Sequence, residues 1–390
     1  MNLAHSPNAA ALLTFAVAAA LTALLVPLVR RLGLRWGLTD TPDSRKQHTT
    51  PMVRLGGVGI VVAFSLALGL TWILGGFAEL PASNDQLIWT TLAGALCFFL
   101  IGLADDLVAL PPWPRLALQL GVSSLVWIEG VRIGTIEFPF GHMNGGLPSV
   151  HLPDWLSLLI TVIWLVGITN AINWLDGLDG LAAGVSGIAA VGLLSVSYSL
   201  HQPAAGLLAA ALAGSCLGFL RHNFNPARIF MGDGGSYFLG FALAAVSIVG
   251  PAKGLTTVSL LFPLLILALP LADMSAVIMG RLSSGHSPFY PDRRHLHHRL
   301  LRTGLSHRRT VLLIYAFTQW LAALALVLVN AELRFLWLAL ATAILIWVLV
   351  RSRRKLHKLE RANRREANRL AGNPLETARP ESSRPENESS

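Results

Sequence analysis

Runs of about 17–25 apolar residues follow one another along most of this chain, separated by short polar loops. A stretch of that length and character is what an α-helix needs to cross a bilayer. Lipid offers no partner to a free N–H or C=O, so such segments must satisfy their backbone internally, as helices do. A transmembrane β-barrel would alternate apolar and polar residues in segments of about ten, and no such alternation is present. Charged residues make up only 13% of the 390, against about 25% in soluble domains. The predicted fold is therefore all-α, a polytopic membrane bundle of about eleven helices.

The expected spans cover residues 8–29, 55–76, 87–104, 115–131, 155–173, 181–199, 205–221, 235–250, 256–279, 311–330 and 335–351. The first lacks a basic segment before it and is followed by Arg30, Arg31 and Arg35, which marks an uncleaved span with its N-terminus outside. With that orientation only Arg132, Lys253 and Arg334, of thirty Lys and Arg residues, fall in or beside outside loops. The excess on the other face obeys the positive-inside rule and places the C-terminus in the cytoplasm. Residues 1–351 form the expected membrane domain, and 352–390 a basic, largely disordered tail. The outside segment 132–154 is punctuated by Gly and Pro and reads as a short hairpin or cap. Cys97 and Cys216 sit inside apolar runs, as small buried hydrophobes.

Five aspartates stand where these spans meet the inside loops: Asp105, Asp106, Asp176, Asp179 and Asp233. A carboxylate beside the bilayer core costs roughly 2.5–3.5 kcal/mol on insertion scales, so such residues line polar cavities or serve function. Gathered together they repel one another unless a divalent cation or basic groups share the site. Adjacent Asp105 and Asp106 suit Mg²⁺ ligation or proton transfer beside it. Asp176 and Asp179 in NAINWLDGLDG share a helical face, with Asn170 and Asn173 just upstream. Around Asp233, the glycines of FMGDGGS allow a tight bend close to a ligand. Basic groups face the same side: Arg45, Lys46 and His48 in the first loop, and Arg281, Arg294, His295, His297 and His298 around HLHH. Such a set suits phosphate oxygens better than a transition metal, since no cysteine or HExxH pattern accompanies the histidines. The residues alone thus point to metal-assisted phosphoryl transfer at a cytoplasmic membrane face.

The order of these motifs, DTPDSRKQH with RLGG, GLADDLVAL, NAINWLDGLDGLAAG, FNPARIFMGDGGS and DRRHLHHRL, resembles the polyprenyl-phosphate N-acetylhexosamine-1-phosphate transferases. The resemblance covers residues from about 40 to 300. It implies transfer of a sugar-1-phosphate from a UDP-sugar to polyprenyl phosphate, with release of UMP. Carried over by motif, Asp233 becomes the principal Mg²⁺ ligand with Asp105 and Asp106 nearby, and Mn²⁺ is an oxygen-seeking substitute. Asp105 or Asp106 would assist attack of the lipid phosphate, and Asn223 would stand near the metal and pyrophosphate. Phe230 and Gly232 match positions that hold uracil, and Asp176 and Asp179 match the polar wall of the nucleotide site. Lys46, His48, Asn173, Arg281 and Arg294 complete the expected substrate contacts, with His295, His297 and His298 among the catalytic groups.

HLHH resembles the branch that uses UDP-N-acetylglucosamine and undecaprenyl phosphate to start O-antigen, common-antigen or teichoic-acid linkage synthesis. The peptidoglycan branch, which takes UDP-MurNAc-pentapeptide, carries consecutive histidines and a different first loop. Direct displacement and an aspartyl-phosphate route are both compatible with the sequence. The partners implied are the UDP-sugar, the lipid phosphate and membrane lipid, with a homodimer open and no nucleic acid. The expected location is the bacterial inner membrane, with the active site facing the cytoplasm. The rival from another class is a secondary transporter, which would place its carboxylates near the midplane and often show inverted repeats.

Overall fold

The computed structural model describes residues 7–40, 52–78, 80–137, 149–249, 261–287, 294–329 and 332–372. The membrane bundle begins with α1 (Pro7–Arg35), α2 (Gly56–Ile73), α3 (Ala82–Val108) and α4 (Pro112–Ile128). It continues with α5 (Asp154–Leu175), α6 (Leu181–Ser199), α7 (Pro203–Asn223) and α8 (Gly232–Val249), then α9 (Leu261–Ile266) and α10 (Ala268–Ser283). A short α11 (Leu296–Arg302) precedes α12 (His307–Leu328) and α13 (Arg334–Gly372). Among the described residues nine helices are long and apolar enough to cross a membrane: α1, α2, α3, α5, α6, α7, α8, α12 and α13.

Two expected spans take other forms. The one at 115–131 is α4, of 17 residues. The one at 256–279 overlaps α9 and α10, which part at Leu267. Pro270 explains that break, because its missing N–H leaves the Ile266 carbonyl without its helical donor. Hydrogen bonds from Leu267 N to Pro263 O and from Leu271 N to Leu267 O keep the two pieces nearly continuous.

Burial grades from the centre outward. In α8 every residue from Gly234 to Val249 is buried, and α7 is buried along most of its length. Small residues make that possible: alanine fills α7, and glycine opens α8 to its neighbours. A Cβ on Gly240 would meet Thr169 Cα at 2.6 Å, and one on Gly214 would meet the Phe15 carbonyl oxygen at 2.2 Å. Close approach of this kind replaces the hydrophobic drive that lipid removes from helix pairing. At the periphery α13 turns Phe335, Trp337, Ile344 and Trp347 outward, as surface bathed by lipid tails does.

Between α4 and α5, β3 (Thr135–Glu137) pairs antiparallel with β4 (Ser149–His151) where a hairpin or cap was expected, and their connection lies outside the described residues. Between α1 and α2, β1 (Thr39–Asp40) pairs antiparallel with β2 (Met52–Val53). Two expectations need correction. Cys216 is buried, but Cys97 is exposed on the surface of α3, because a membrane helix shows apolar residues to lipid as well as to its core. The helix α13 also continues to Gly372, so the first part of the expected tail is helical. Its run of Arg, Lys, Glu and Ala favours helix over coil.

Candidate functional site

The aspartate-bearing ends of α3, α5 and α8 meet at one end of the bundle. The close packing of α3 on α8 brings Asp106 to the start of α8, where its Oδ2 accepts the Gly234 N–H at 3.0 Å. Gly102, one turn earlier on α3, makes the approach possible: a Cβ there would lie 2.3 Å from the Asp233 carbonyl oxygen. Asp233 stands in the first turn of α8, where its negative charge complements the helix dipole. Its Oδ1 accepts Asn173 Nδ2 at 2.9 Å, and the same amide reaches Ser236 Oγ at 2.9 Å.

The RLGG turn is tied to the same place by backbone. Phe230 N donates to Val53 O at 2.9 Å, Gly56 N to Phe230 O at 2.9 Å, and Gly57 N to Met231 O at 2.8 Å. Gly232 adopts φ +78°, and a Cβ on it would stand 2.1 Å from the Arg54 carbonyl oxygen and 2.6 Å from Asp106 Oδ2. Only glycine fits both constraints. The exposed Arg54 lies within electrostatic reach of Asp106, Asp176 and Asp233 and offsets part of their repulsion. Asp176 follows α5 directly, and its carboxyl is pushed up to about 7. Enclosure by protein is the main cause, followed by the charge of Asp233, with Arg54 opposing.

Several expected site residues also make contacts that brace the site. Asp105 is ion-paired with Arg115 at the start of α4 through Oδ2, and its side chain also neighbours that of Asp233. Asn223 is buried; its Nδ2 donates to Ile229 O at 2.9 Å and its Oδ1 accepts Gly180 N at 3.0 Å. The amide therefore ties the DGLDG turn to the loop before α8. Asp179 Oδ2 braces the same loop by accepting Asn225 Nδ2 at 2.9 Å and Ala227 N at 3.0 Å.

The HLHH turn packs beside the end of α5. His295 lies edge-on to Trp174 at 5.8 Å and parallel to His297 at 5.7 Å, while His298 tilts against His297 at 4.3 Å. Arg281 is buried at the end of α10 with its guanidinium 4.9 Å from the Trp174 ring. Arg294 Nη1 reaches Gly280 O at 2.6 Å and Ser284 Oγ at 3.1 Å. His297 is buried against Gly177, and that burial holds its pKa down to about 3, with His298 and His295 acting in the same direction. Lys46 and His48 lie outside the described residues.

Sequence reasoning passed over Arg54, Arg115 and Asp273. Arg54 was visible within RLGG, but its tie to the acidic cluster spans almost 180 residues. Asp273, in LALPLADMSAV, carried the same signal as the five aspartates: a carboxylate inside an apolar run.

Among the described residues no three His, Cys, Asp or Glu side chains converge on a common point. Mg²⁺ does not require that, since it is usually held by one or two carboxylates together with water and substrate phosphates. Asp106 Oδ1 is buried without a hydrogen-bond partner, and the charges of Asp106 and Asp233 act directly on one another. Two hard oxygen donors in mutual repulsion, one with an orphaned atom, fit such an ion. A cavity of about 260 Å³ bounded by Asn8, Ser197, Tyr198 and His201 lies away from these carboxylates.

Comparison with known proteins bears on this arrangement. Residues 88–251 match the family model described as glycosyl transferase family 4. The chain is 34% identical over 337 residues to the probable undecaprenyl-phosphate N-acetylglucosaminyl 1-phosphate transferase of Bacillus subtilis, covering 85% of this chain and 87% of that protein. It is 38% identical over 323 residues to the decaprenyl-phosphate N-acetylglucosaminephosphotransferase of Mycobacterium tuberculosis, covering 76% and 77%. It is 26% identical to the undecaprenyl-phosphate alpha-N-acetylglucosaminyl 1-phosphate transferase of Escherichia coli O157:H7, covering 84% and 86%.

Proposed function

We propose, from the chain's membership of glycosyl transferase family 4, that it transfers N-acetylglucosamine-1-phosphate from UDP-N-acetylglucosamine to undecaprenyl phosphate and releases UMP. The observation that carries this reading is the meeting of Asp106, Asp176 and Asp233 with Arg54 at one end of an apolar bundle. A lipid phosphate needs an apolar path through the bilayer and a nucleotide needs a polar mouth, and this bundle offers both. The names of the similar proteins favour N-acetylglucosamine over UDP-MurNAc-pentapeptide. The clustering of carboxylates at one end speaks against a transporter with a midplane site.

In this reaction an oxygen of the lipid phosphate bonds to the β-phosphorus of the UDP-sugar while the bond from that phosphorus to the bridging oxygen breaks. Asp106 and Asp233 would hold Mg²⁺. Bound there, the ion would neutralise charge on the pyrophosphate and on departing UMP. Arg54 adds positive charge at the same mouth. Arg115 holds the Asp105 side chain in place beside Asp106 and Asp233. Asn173 sets the Asp233 rotamer, and Asn223 and Asp179 hold the turns on which Asp176 and Phe230 sit. The site faces the cytoplasm of a bacterial inner membrane in this scheme.

The test is incubation of membranes containing the protein with undecaprenyl phosphate and UDP-N-acetylglucosamine, with and without Mg²⁺. Metal-dependent release of UMP, matched by lipid-linked product, is expected. Turnover with UDP-MurNAc-pentapeptide alone would move the protein to the other branch, and absence of turnover with both donors would overturn the transferase reading.

A further inference from the structure

Asp273 is buried in α10, within an apolar segment, and takes no part in the acidic cluster. Both of its oxygens are engaged by the HLHH turn. Oδ2 lies 3.0 Å from His295 Nδ1, and Oδ1 accepts the Leu296 N–H at 2.7 Å. The second bond caps the start of α11, which has no side-chain cap of its own. The first fixes the imidazole. A carboxylate only accepts, so Nδ1 must carry the proton, and Nε2 becomes the ring nitrogen available to a substrate.

Other neighbours prevent His295 from turning. Its edge meets Trp174 at 5.8 Å, its face lies parallel to His297 at 5.7 Å and 9°, and His297 is wedged against Gly177 in the DGLDG turn. Trp174 stands two residues before Asp176, beneath the Arg281 guanidinium. One line of contacts therefore runs from α10 through His295 to the nucleotide-side turn of the proposed site. A hydrophobic residue at 273 would pack at lower cost in this segment, so the carboxylate is kept for what it does to the turn.

We infer that Asp273 is a positioning residue of the transferase, which docks HLHH onto α10 and aims His295 Nε2 at the reacting phosphates. This rests on the proposed reaction and on the place that the family resemblance gives His295 among its catalytic groups. The arrangement is that of a histidine oriented by a carboxylate behind it, whose loss typically costs about 10–100-fold.

The discriminating variant is Asp273→Asn, which keeps an oxygen for Leu296 N but cannot accept from His295 Nδ1 with the same atom. Expected are an unchanged melting temperature, a kcat lowered about 10–100-fold per folded protein, and no further loss when the change is added to His295→Ala. Wild-type kcat in Asp273→Asn, or losses that multiply in the double variant, would overturn the inference. An arm independent of turnover is the ¹⁵N spectrum of histidine-labelled protein, with His295 assigned by its absence in His295→Ala. A proton is expected on Nδ1, and an Nδ1 that carries none overturns the pairing. If the wild-type enzyme makes no product, the proposed reaction falls, while the spectrum still decides the pairing.

Discussion

Asp233 bears the heaviest demand of any single residue, since it sits at a helix start, accepts from Asn173 and faces Asp106. Asp233→Asn keeps the hydrogen-bonding shape but removes the charge. UMP release should fall by on the order of 10²–10³-fold, the usual cost of losing one charge-stabilising group, with membrane insertion retained; near-normal activity would remove Asp233 from the mechanism. Asn223 makes the opposite case. Asn223→Ala leaves the Gly180 N–H and the Ile229 carbonyl unpaired in a buried place, at about 2–4 kcal/mol, so thermal stability should drop clearly. His297 gives a pH signature. The unfolded chain protonates it near the ordinary 6.5, whereas the folded protein resists until about 3. The unfolded state therefore binds more protons across that window, and stability falls as pH drops below 6.5, by about 2 kcal/mol at pH 5. His297→Gln should flatten this decline in melting curves taken between pH 7 and 5.

At the scale of elements, the contact between α3 and α8 decides whether the aspartates meet. Gly102→Ala would push a methyl group into the Asp233 carbonyl, and overpacking of this kind costs typically about 1–3 kcal/mol. The expected result is a lowered melting temperature together with loss of turnover, since Asp106 can no longer reach Gly234. Turnover at the wild-type level would show that the two helices can separate without consequence. In α4 the polarity is turned inward: Gln119, Ser123 and Val126 are its buried residues, and Gln119 Oε1 accepts Asn170 Nδ2 at 2.8 Å from α5. Arg115 stands one turn before Gln119, so a polar stripe descends from the Asp105 pair between the helices. The spacing 115, 119, 123 makes that stripe legible in sequence; what it faces does not appear there.

For the whole molecule, the surface belongs to the bilayer. Cys97 is exposed and Cys216 buried, yet a membrane-impermeant maleimide should label neither in intact membranes, because the exposed face of α3 meets lipid. Cysteine introduced at Arg353 should be labelled only from the cytoplasmic side, and cysteine at Gly130 only from the outside. The reverse pattern would invert the proposed orientation and place the site on the wrong face for a cytosolic nucleotide sugar.

Apolar length and spacing were enough to foresee the helices, since backbone in lipid has few other solutions. Most expected span limits lie within a few residues of the observed helices, from α2 at Gly56–Ile73 to α12 at His307–Leu328. The site motifs were equally open to reading, because charge in an apolar chain is conspicuous. Roles within the site were not. Nothing local distinguishes Asp105, held by Arg115, from Asp106, whose Oδ1 is orphaned; which adjacent carboxylate meets which helix depends on the phase of α3 against α4 and α8. Asn223 and Asp179 likewise acquire bracing roles only when distant turns close on them. The sequence determined which segments enter the membrane and which chemistry they carry, through hydrophobicity and charge. Tertiary packing decided which carboxylates meet, because glycine contacts between helices far apart in the chain set where each side chain ends.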